Sequence, residues 1–427
     1  MKNYWLLLSL LATACHHSSI QEQCPLVSIQ IQDRNGLTET ISTPDRLEVF
    51  EQLDFLESQP FKKVLRVYKQ QGKNSAKITT YHPNGTPWQY LETQEMRAFG
   101  AYKEWHPNGQ LKIEATVIGG AADITPGAQR EWLFDNLAKV FDDQGRLIAE
   151  IFYEKGELAD LSHYYYPNGA LEKSLPYSKN QLHGEAFEYW PTKQIKSSTH
   201  YNMGKKEGVS SGFWTSGEVC WKEHYRDGQL LEGQYFTKVG ELISEVRNGY
   251  GFQSIFDQEI LAQKVEIRKG KPEGLVQIFT VSGELLRIYH VKLGKKHGEE
   301  IEYFLSYEKE DGLSEPLTKL SIPWIDDTIS GIVKTWYSNG KLESQRELSR
   351  NKKTGTSLAW YREGGLMYME EYEEDKLLKG TYYKKNQKDS VSTVINGNGV
   401  ATIFDENGIF LRKIPYSKGK PIDPDNT

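Results

Sequence analysis

Hydrophobic and polar residues alternate along short segments through most of this chain. In residues 184–190, which read GEAFEYW, Phe187 and Tyr189 would point to one side of an extended strand. Glu188 and Trp190 would then point to the other side. A hydrophobic period of two residues predicts β-strands rather than helices.

The segments between these strands carry turn motifs of one kind. YHPNG stands at residues 81–85 and WHPNG at residues 105–109. Pro83 sets φ near −65° for the first central position of a type I turn, Asn84 suits the second, and Gly85 accepts a left-handed conformation. The motif therefore predicts a hairpin of two short strands.

The turns recur at a nearly constant period. The aromatic residues Phe141, Tyr165, Tyr189 and Phe213, one before each turn, are 24 residues apart. A second glycine precedes many of the strands, at Gly100, Gly184, Gly208, Gly274, Gly298, Gly331, Gly355 and Gly380. Together these signals give about fourteen units between residues 75 and 413. One hairpin cannot bury its own hydrophobic face, so neighbouring units are expected to stack.

The pattern Y-x-x-G-x-x-x-G with an aromatic strand, joined to an x-N-G-x-L turn, resembles the MORN repeat in its bacterial variant class. The resemblance implies a mostly β protein, an elongated single-layer antiparallel β-meander of stacked hairpins. MORN proteins serve as scaffolds and membrane-associated modules, and some variant-class members are labelled toxin–antitoxin system antitoxins.

Four segments fall outside the repeat. Residues 15–74 are expected to form a tether and a small α+β cap, with a hairpin at Asn35-Gly36 and a helix that begins at Thr43-Pro44. Insertions are predicted near residues 119–137 and 305–328, and each is either a functional loop or a tolerated surface insertion. The tail, residues 414–427, reads as disordered.

The composition fits a thin, two-faced sheet. Hydrophobic residues make up 38% of the chain, which is low, while aromatic residues reach 12%. Tyrosine and tryptophan tolerate a half-exposed surface. The formal charge of −6 gives no general attraction to nucleic acid, so no nucleic-acid partner is expected.

The N-terminus resembles a bacterial lipoprotein signal. Residues 1–14 contain one early lysine, a short apolar stretch and small residues, and Cys15 follows as the candidate lipidation site. The resemblance implies an outer-membrane lipoprotein of the cell envelope, on a face that the sequence does not specify. An ordinary cleaved signal peptide and a retained anchor are the alternatives. Cys24 and Cys220 are far apart and are expected to be unpaired.

Catalytic and metal motifs are weak. Ser210 lies in GVSSG, which matches G-x-S-x-G, but a turn precedes it and an aromatic strand follows. His82 and His106 occupy equivalent turns on hairpins about 10 Å apart, too far to share one zinc ion. We therefore predict no enzyme activity, no metal and no cofactor.

A binding role is predicted instead. Five aromatic residues each lie six positions after a second glycine and are expected on one face of the sheet, where exposed rings would contact a partner: Trp190, Trp214, Phe304, Tyr337 and Tyr361. The competing interpretation is that these rings only stabilise the sheet. Two functions remain open: a lipid-anchored envelope scaffold that binds a protein or an envelope polymer, and an antitoxin or immunity-like protein that masks a toxin.

Overall fold

The computed structural model describes residues 25–70, 73–306 and 316–422. The chain divides into two compact units, residues 1–169 with 177–180 and residues 170–176 with 181–427. The described residues form 36 strands and two short helices. The antiparallel β-meander expected from the alternating pattern is therefore confirmed.

The first unit contains both helices, which are α1 (Pro44–Glu51) and α2 (Pro126–Gln129). Its strands follow one another in chain order: β1 Leu26–Gln32, β2 Thr38–Ile41, β3 Lys63–Gln70, β4 Lys73–Tyr81, β5 Pro87–Gln94, β6 Arg97–Trp105, β7 Leu111–Gly119, β8 Leu133–Phe141, β9 Leu147–Glu154, β10 Glu157–Leu158 and β11 Asp160–Tyr165. The next strand, β12 Leu171–Ser178, has residues in both units.

The second unit consists of strands and their connections: β13 Gln181–Leu182, β14 Gly184–Tyr189, β15 Ile195–Asn202, β16 Lys205–Phe213, β17 Val219–Arg226, β18 Gln229–Phe236, β19 Leu242–Arg247, β20 Tyr250–Asp257, β21 Ile260–Arg268, β22 Lys271–Phe279, β23 Leu285–Lys292 and β24 Lys295–Lys296. It continues with β25 Gly298–Tyr303, β26 Thr318–Ile325, β27 Thr328–Ile329, β28 Gly331–Trp336, β29 Leu342–Ser349, β30 Lys352–Trp360, β31 Leu366–Glu373, β32 Lys376–Tyr383, β33 Ser390–Ile395, β34 Asn398–Phe404, β35 Phe410–Ser417 and β36 Lys420–Pro421.

Two kinds of turn alternate along the meander. At the HPNG turn, the Gly85 amide donates to the His82 carbonyl and the His82 amide donates to the Thr86 carbonyl, while Gly85 has φ of 96°. This is the predicted type I turn with a glycine bulge. At the other end of the strands, two successive residues such as Met203 and Gly204 both have positive φ. That geometry is typical of a type I′ turn. The sequence pattern marked this end of the strands only by the second glycine and did not predict the type of turn.

The N-terminal cap is built as predicted. β1 and β2 form the hairpin around Asn35-Gly36, and α1 begins at Pro44 after Thr43. The cap has its own hydrophobic cluster, in which Phe55 packs with Ile29 and Val64. Tyr81 of β4 belongs to the same cluster, and its hydroxyl donates to the Phe55 carbonyl at 2.9 Å, which joins the cap to the first repeat.

Two boundaries predicted from the sequence were wrong. The segment 305–328 includes the regular strand β26, whose alternating residues pair with β25, so the departure from the repeat ends before Thr318. The tail predicted to be disordered from residue 414 contains the end of β35, which pairs with β34, and the short strand β36. Residues 423–427 lie outside the described part of the chain.

The core of the second unit contains carboxylates surrounded by tyrosines. Glu223 is buried and accepts hydrogen bonds from the Tyr225 and Tyr235 hydroxyls at 2.8 and 2.7 Å. Glu370 is also buried and accepts from two tyrosines at the same sequence offsets, Tyr372 at 3.1 Å and Tyr382 at 2.7 Å. The two clusters show that this unit repeats a larger segment than one hairpin.

Candidate functional site: a groove beside the N-terminal cap

The aromatic row predicted to bind a partner lies at the start of the turns in the second unit. Trp214, Tyr337 and Tyr361 are only 3%, 5% and 1% exposed, while Trp190 and Phe304 are half-buried. The expected exposure is therefore wrong for three of the five residues. A bulge just before each turn shifts the strand register, so strand alternation does not continue into the turn. Their binding role stays a prediction.

These side chains connect one repeat to the next. The Trp190 indole donates to the Phe213 carbonyl at 3.1 Å, and the Tyr337 and Tyr361 hydroxyls donate to the Trp360 and Tyr383 carbonyls at 2.7 Å. Trp214 differs, because its buried indole N–H has no partner among the described residues. These contacts favour the interpretation that the row stabilises the sheet.

Histidine and asparagine do the same at other turns. The His82 ring hydrogen-bonds the Trp105 carbonyl at 2.9 Å, and the Asn84 amide donates to the Pro107 carbonyl at 2.8 Å. His106 hydrogen-bonds the Phe141 carbonyl at 3.1 Å. We call these contacts between the first or third residue of a turn and a carbonyl of the next repeat the turn ladder. They give the repeated H-P-N-G motif a structural role, which is to join successive repeats.

The remaining candidates are placed as follows. Ser210 lies inside β16 and not on a strand-to-helix turn, so the structural context of a G-x-S-x-G nucleophile is not formed. Cys220 is buried, and burial followed by the nearby Glu259 charge raises the pKa of its thiol to about 12. Cys15 and the predicted signal peptide lie outside the described residues.

A groove of about 1050 Å³ opens in the first unit, beside the N-terminal cap. We call it the cap groove. Its volume is at the upper end of the range for ligand sites, and its lining is largely apolar with several polar groups. Its lining residues come from the cap, from three strands of the repeat region (β4, β5 and β6) and from the insertion that follows β7.

The floor of the cap groove contains a row of polar side chains. Register places these residues directly opposite one another on successive strands: Gln32 on β1, Lys63 on β3, Thr80 on β4, Gln89 on β5 and Glu104 on β6. Directly opposed residues project from the same face of a sheet. We call these five residues the floor row.

The insertion after β7 forms one wall. Residues 123–126 and 129 of the insertion line the cap groove, and α2 lies within the insertion. Trp132 anchors the insertion, because its buried ring meets Tyr102 edge-on and its indole donates to the Ala121 carbonyl at 2.9 Å. Lys63 Nζ contacts Asp123 Oδ1 at 2.6 Å and ties the wall to the floor row.

Aromatic side chains also line the cap groove. Trp88 is 43% exposed, and its ring centroid lies 5.6 Å from that of His82. Phe61 lies on the same groove and is half-buried. An exposed indole in a concave site offers a flat apolar surface to a ligand.

The charges of the cap groove do not cancel. Glu104 contacts Lys112 at 2.6 Å and Asp123 contacts Lys63 at 2.6 Å, so both carboxylates are neutralised. Arg34 instead donates to the neutral carbonyls of Pro60, Pro83 and His82. Lys62 is exposed and forms no ion pair with any described residue. Two positive charges are therefore left for a ligand.

Asp123 is held in its charged form. Burial would raise the pKa of this carboxyl, but the hydrogen bonds from Lys63 and from the Ile124 amide, together with the Lys63 charge, lower it overall. The wall is thus attached to the floor row by an ion pair at neutral pH.

Sequence reasoning missed the cap groove. The insertion at 119–137 was identified, but its position over the floor row depends on the pairing of strands far apart in sequence. The available signal was polar residues at inward positions of β4 and β5, Thr80 and Gln89, where a repeat would be expected to bury apolar side chains.

The comparisons agree with the repeat. The sequence model of the MORN repeat variant matches residues 100–118, 182–203 and 329–348. In the structure, the first match covers the β6–β7 hairpin, the second β14 and β15, and the third β28 and β29. The chain therefore carries variant MORN repeats at these three places.

A search among curated proteins finds no match. Among solved structures, the chain is similar to a chain of the Tc holotoxin pore of Photorhabdus luminescens, with 12% sequence identity and a TM-score of 0.14. That likeness covers 93% of this chain and 24% of the other, so this chain spans about a quarter of its length. Neither helix of the described ranges has the length and apolar content needed to cross a membrane.

Proposed function

We propose that this chain, which carries variant MORN repeats, is a non-catalytic binding protein of the cell envelope whose ligand occupies the cap groove. The observation that supports the proposal is the groove itself. It combines an exposed indole, a floor row of polar side chains and two positive charges that no described carboxylate neutralises. Concave sites with these properties are the usual places for ligands.

The repeats would then act as the scaffold that holds the groove open. The turn ladder connects successive hairpins, and the insertion is anchored by Trp132. Because the floor row comes from five strands, its spacing is fixed by the backbone hydrogen bonds of the sheet. Such a site is rigid before the ligand arrives, which lowers the entropy cost of binding.

Placement at the envelope rests on the residues before Cys15. We propose that Cys15 carries the lipid that attaches the protein to the membrane. Cys15→Ala should abolish labelling by a fatty-acid analogue and leave the signal segment uncleaved. Normal labelling of this variant would reject the lipid anchor and leave the groove unaffected. The antitoxin interpretation rests on the family label and stays a prediction.

The binding role is tested in intact cells. A photo-crosslinking amino acid is placed at Trp88 in the cap groove and, in a matched protein, at Phe99 on β6. Phe99 is 48% exposed but does not line the groove. We expect a discrete adduct at position 88 and none at position 99. Equal adducts at both positions, or none at position 88, would contradict the proposed site.

A further inference from the structure

The floor row suits a ligand that repeats at the spacing of strands. Adjacent strands lie about 4.8 Å apart, so Gln32 and Glu104 are separated by roughly 19 Å across five strands. Between them lie the Lys63 amino group, which pairs with Asp123, the Thr80 hydroxyl, and the Gln89 amide, which donates to the Tyr102 hydroxyl at 3.2 Å. A linear ligand that crosses the strands would meet one polar side chain in each step.

The backbone of the floor is not available to a ligand. Each strand of the row lies inside the sheet and pairs with neighbours on both sides, so its N–H and C=O groups are already used. A peptide could not add a strand here, which is the usual way in which sheets bind extended peptides. Recognition must come from side chains, and this favours a ligand rich in hydroxyl groups.

One hydroxyl of the floor row is unused. Thr80 is 9% exposed, and its Oγ1 is buried without a hydrogen-bond partner among the described residues. Thr80 lies between Lys63 and Gln89 in the row. A buried hydroxyl without a hydrogen-bond partner is destabilising. A ligand hydroxyl placed over it would remove that cost.

The walls and the charge restrict the ligand further. Sugar rings carry apolar C–H faces that pack on flat aromatic surfaces, and Trp88 exposes such a surface beside the His82 ring. Arg34 and Lys62 supply the positive charges that no described carboxylate neutralises. An acidic sugar would place a carboxylate near these cations while its ring contacts the indole.

From these contacts we infer that the cap groove binds an acidic polysaccharide, a linear polymer of sugars that carry carboxylate groups. The inference deepens the proposed function and rests on it, since it takes the cap groove as the binding site. Hydroxyl groups would contact the floor row, ring faces would pack on Trp88, and carboxylates would pair with Arg34 and Lys62.

The test is calorimetric titration of the full mature chain with three probes of similar length. These are an oligogalacturonate, the neutral oligosaccharide maltohexaose, and an oligoglutamate peptide. We expect the oligogalacturonate to bind at least about tenfold more tightly than either of the others. Trp88→Ala and Lys62→Glu should each weaken its binding by about tenfold or more.

Two matched variants control for general damage. Phe99→Ala removes an equally exposed aromatic ring outside the groove, and Lys69→Glu reverses a charge at the far end of β3. Neither should change the affinity. Lys62 is exposed, so Lys62→Glu should fold normally even if Trp88→Ala does not.

Several outcomes would overturn the inference: equal binding of oligoglutamate, binding of maltohexaose with the same affinity, or equal losses in the controls. A protein adduct at position 88 in cells, with no saccharide binding, would keep the groove as the binding site and reject the acidic polysaccharide. If neither the adduct in cells nor saccharide binding is observed, the groove is rejected as the binding site and the acidic polysaccharide is rejected as its ligand.

Discussion

The Tyr337 hydroxyl donates a 2.7 Å hydrogen bond to the backbone carbonyl of Trp360, which lies 23 residues later in the chain. Tyr337 is the first residue of one turn, and Trp360 is the last residue of the strand before the next turn. The Tyr361 hydroxyl repeats the contact with the Tyr383 carbonyl. The side chain that begins each of these turns therefore fixes the position of the following repeat.

We expect Tyr337→Phe to lower the free energy of unfolding by about 1 kcal/mol, because the Trp360 carbonyl loses its side-chain donor. Calorimetry would give the loss, and hydrogen exchange of β30 would show where it occurs. Tyr250→Phe is the control, since Tyr250 is 52% exposed. Equal destabilisation by both variants would contradict a specific role for the ladder hydrogen bond.

Asparagine in the turn ladder has a role that aspartate cannot fill. Asn339 Oδ1 accepts from the Lys341 amide at 3.0 Å, and its Nδ2 donates to the Arg362 carbonyl at 3.1 Å. In Asn339→Asp the first contact remains, but a carboxylate cannot donate and repels the carbonyl. We expect a loss of about 1 kcal/mol at neutral pH, measured by thermal unfolding.

Asn407→Asp is the matched control for that variant. Asn407 occupies the same turn position in DENG, but its side chain has no hydrogen-bond partner among the described residues. The difference between Asn339→Asp and the wild type should shrink below pH of about 4, because a protonated carboxyl can donate. A constant difference across pH would show that the lost donor is not the cause.

The sequence was sufficient for the local parts of this fold. The HPNG turns, the Asn35-Gly36 hairpin and the helix start at Pro44 follow from the φ preferences of a few adjacent residues, and the structure has them where they were expected. The strands predicted from alternating hydrophobic and polar residues are also present in the structure. These features depend on neighbours in sequence, which is why propensity and spacing could identify them.

The rest depends on pairing between distant strands. Trp214 and Tyr337 were assigned by extending strand alternation into the turn, but the register shift before each turn invalidates that step. The floor row exists because Gln32 faces Lys63 and Thr80 faces Gln89 across strands. No local pattern specifies those registers, so neither the buried row nor the cap groove could be located from the sequence.

The tyrosines around the buried glutamates predict sensitivity to alkali. Burial, followed by the Glu223 charge and its hydrogen bond, raises the pKa of Tyr235 well above its usual value of 10.0. Burial and Glu370 raise the pKa of Tyr382 in the same way. The stability from these groups is fully present below pH 10 and is lost as pH rises, since only the unfolded chain ionises there.

We therefore expect Tyr235 and Tyr382 to stay un-ionised at about pH 11 and to ionise only when the second unit unfolds. Ultraviolet absorbance of tyrosinate against pH would measure this, with circular dichroism recorded in parallel. In the double variant Tyr235→Phe/Tyr382→Phe, the number of tyrosines that ionise only on unfolding should fall by two. Ionisation of all tyrosines while the sheet is intact would contradict the expected burial effect.

The contact between Asp123 and Lys63 makes the wall of the cap groove sensitive to acid. Because the pKa of Asp123 is lowered in the folded protein, its contribution to stability is present above the unfolded value of about 3.9. That contribution is lost as pH falls through the folded pKa. Protonation removes the ion pair, and the insertion then keeps its other contacts, among them the Trp132 anchor, the buried Ile124 side chain and the hydrogen bond from the Ala98 amide to the Gly120 carbonyl.

Hydrogen exchange of residues 121–132, corrected for intrinsic rates, would follow this loss. We expect protection to fall below about pH 4 in the wild type. Asp123→Asn should show lower protection already at neutral pH and little further change with acid. Glu114→Gln is the control, because Glu114 pairs with Lys103 at 2.9 Å in the same unit but does not touch the insertion wall. If Asp123→Asn keeps the wild-type acid response, the wall is held by other contacts.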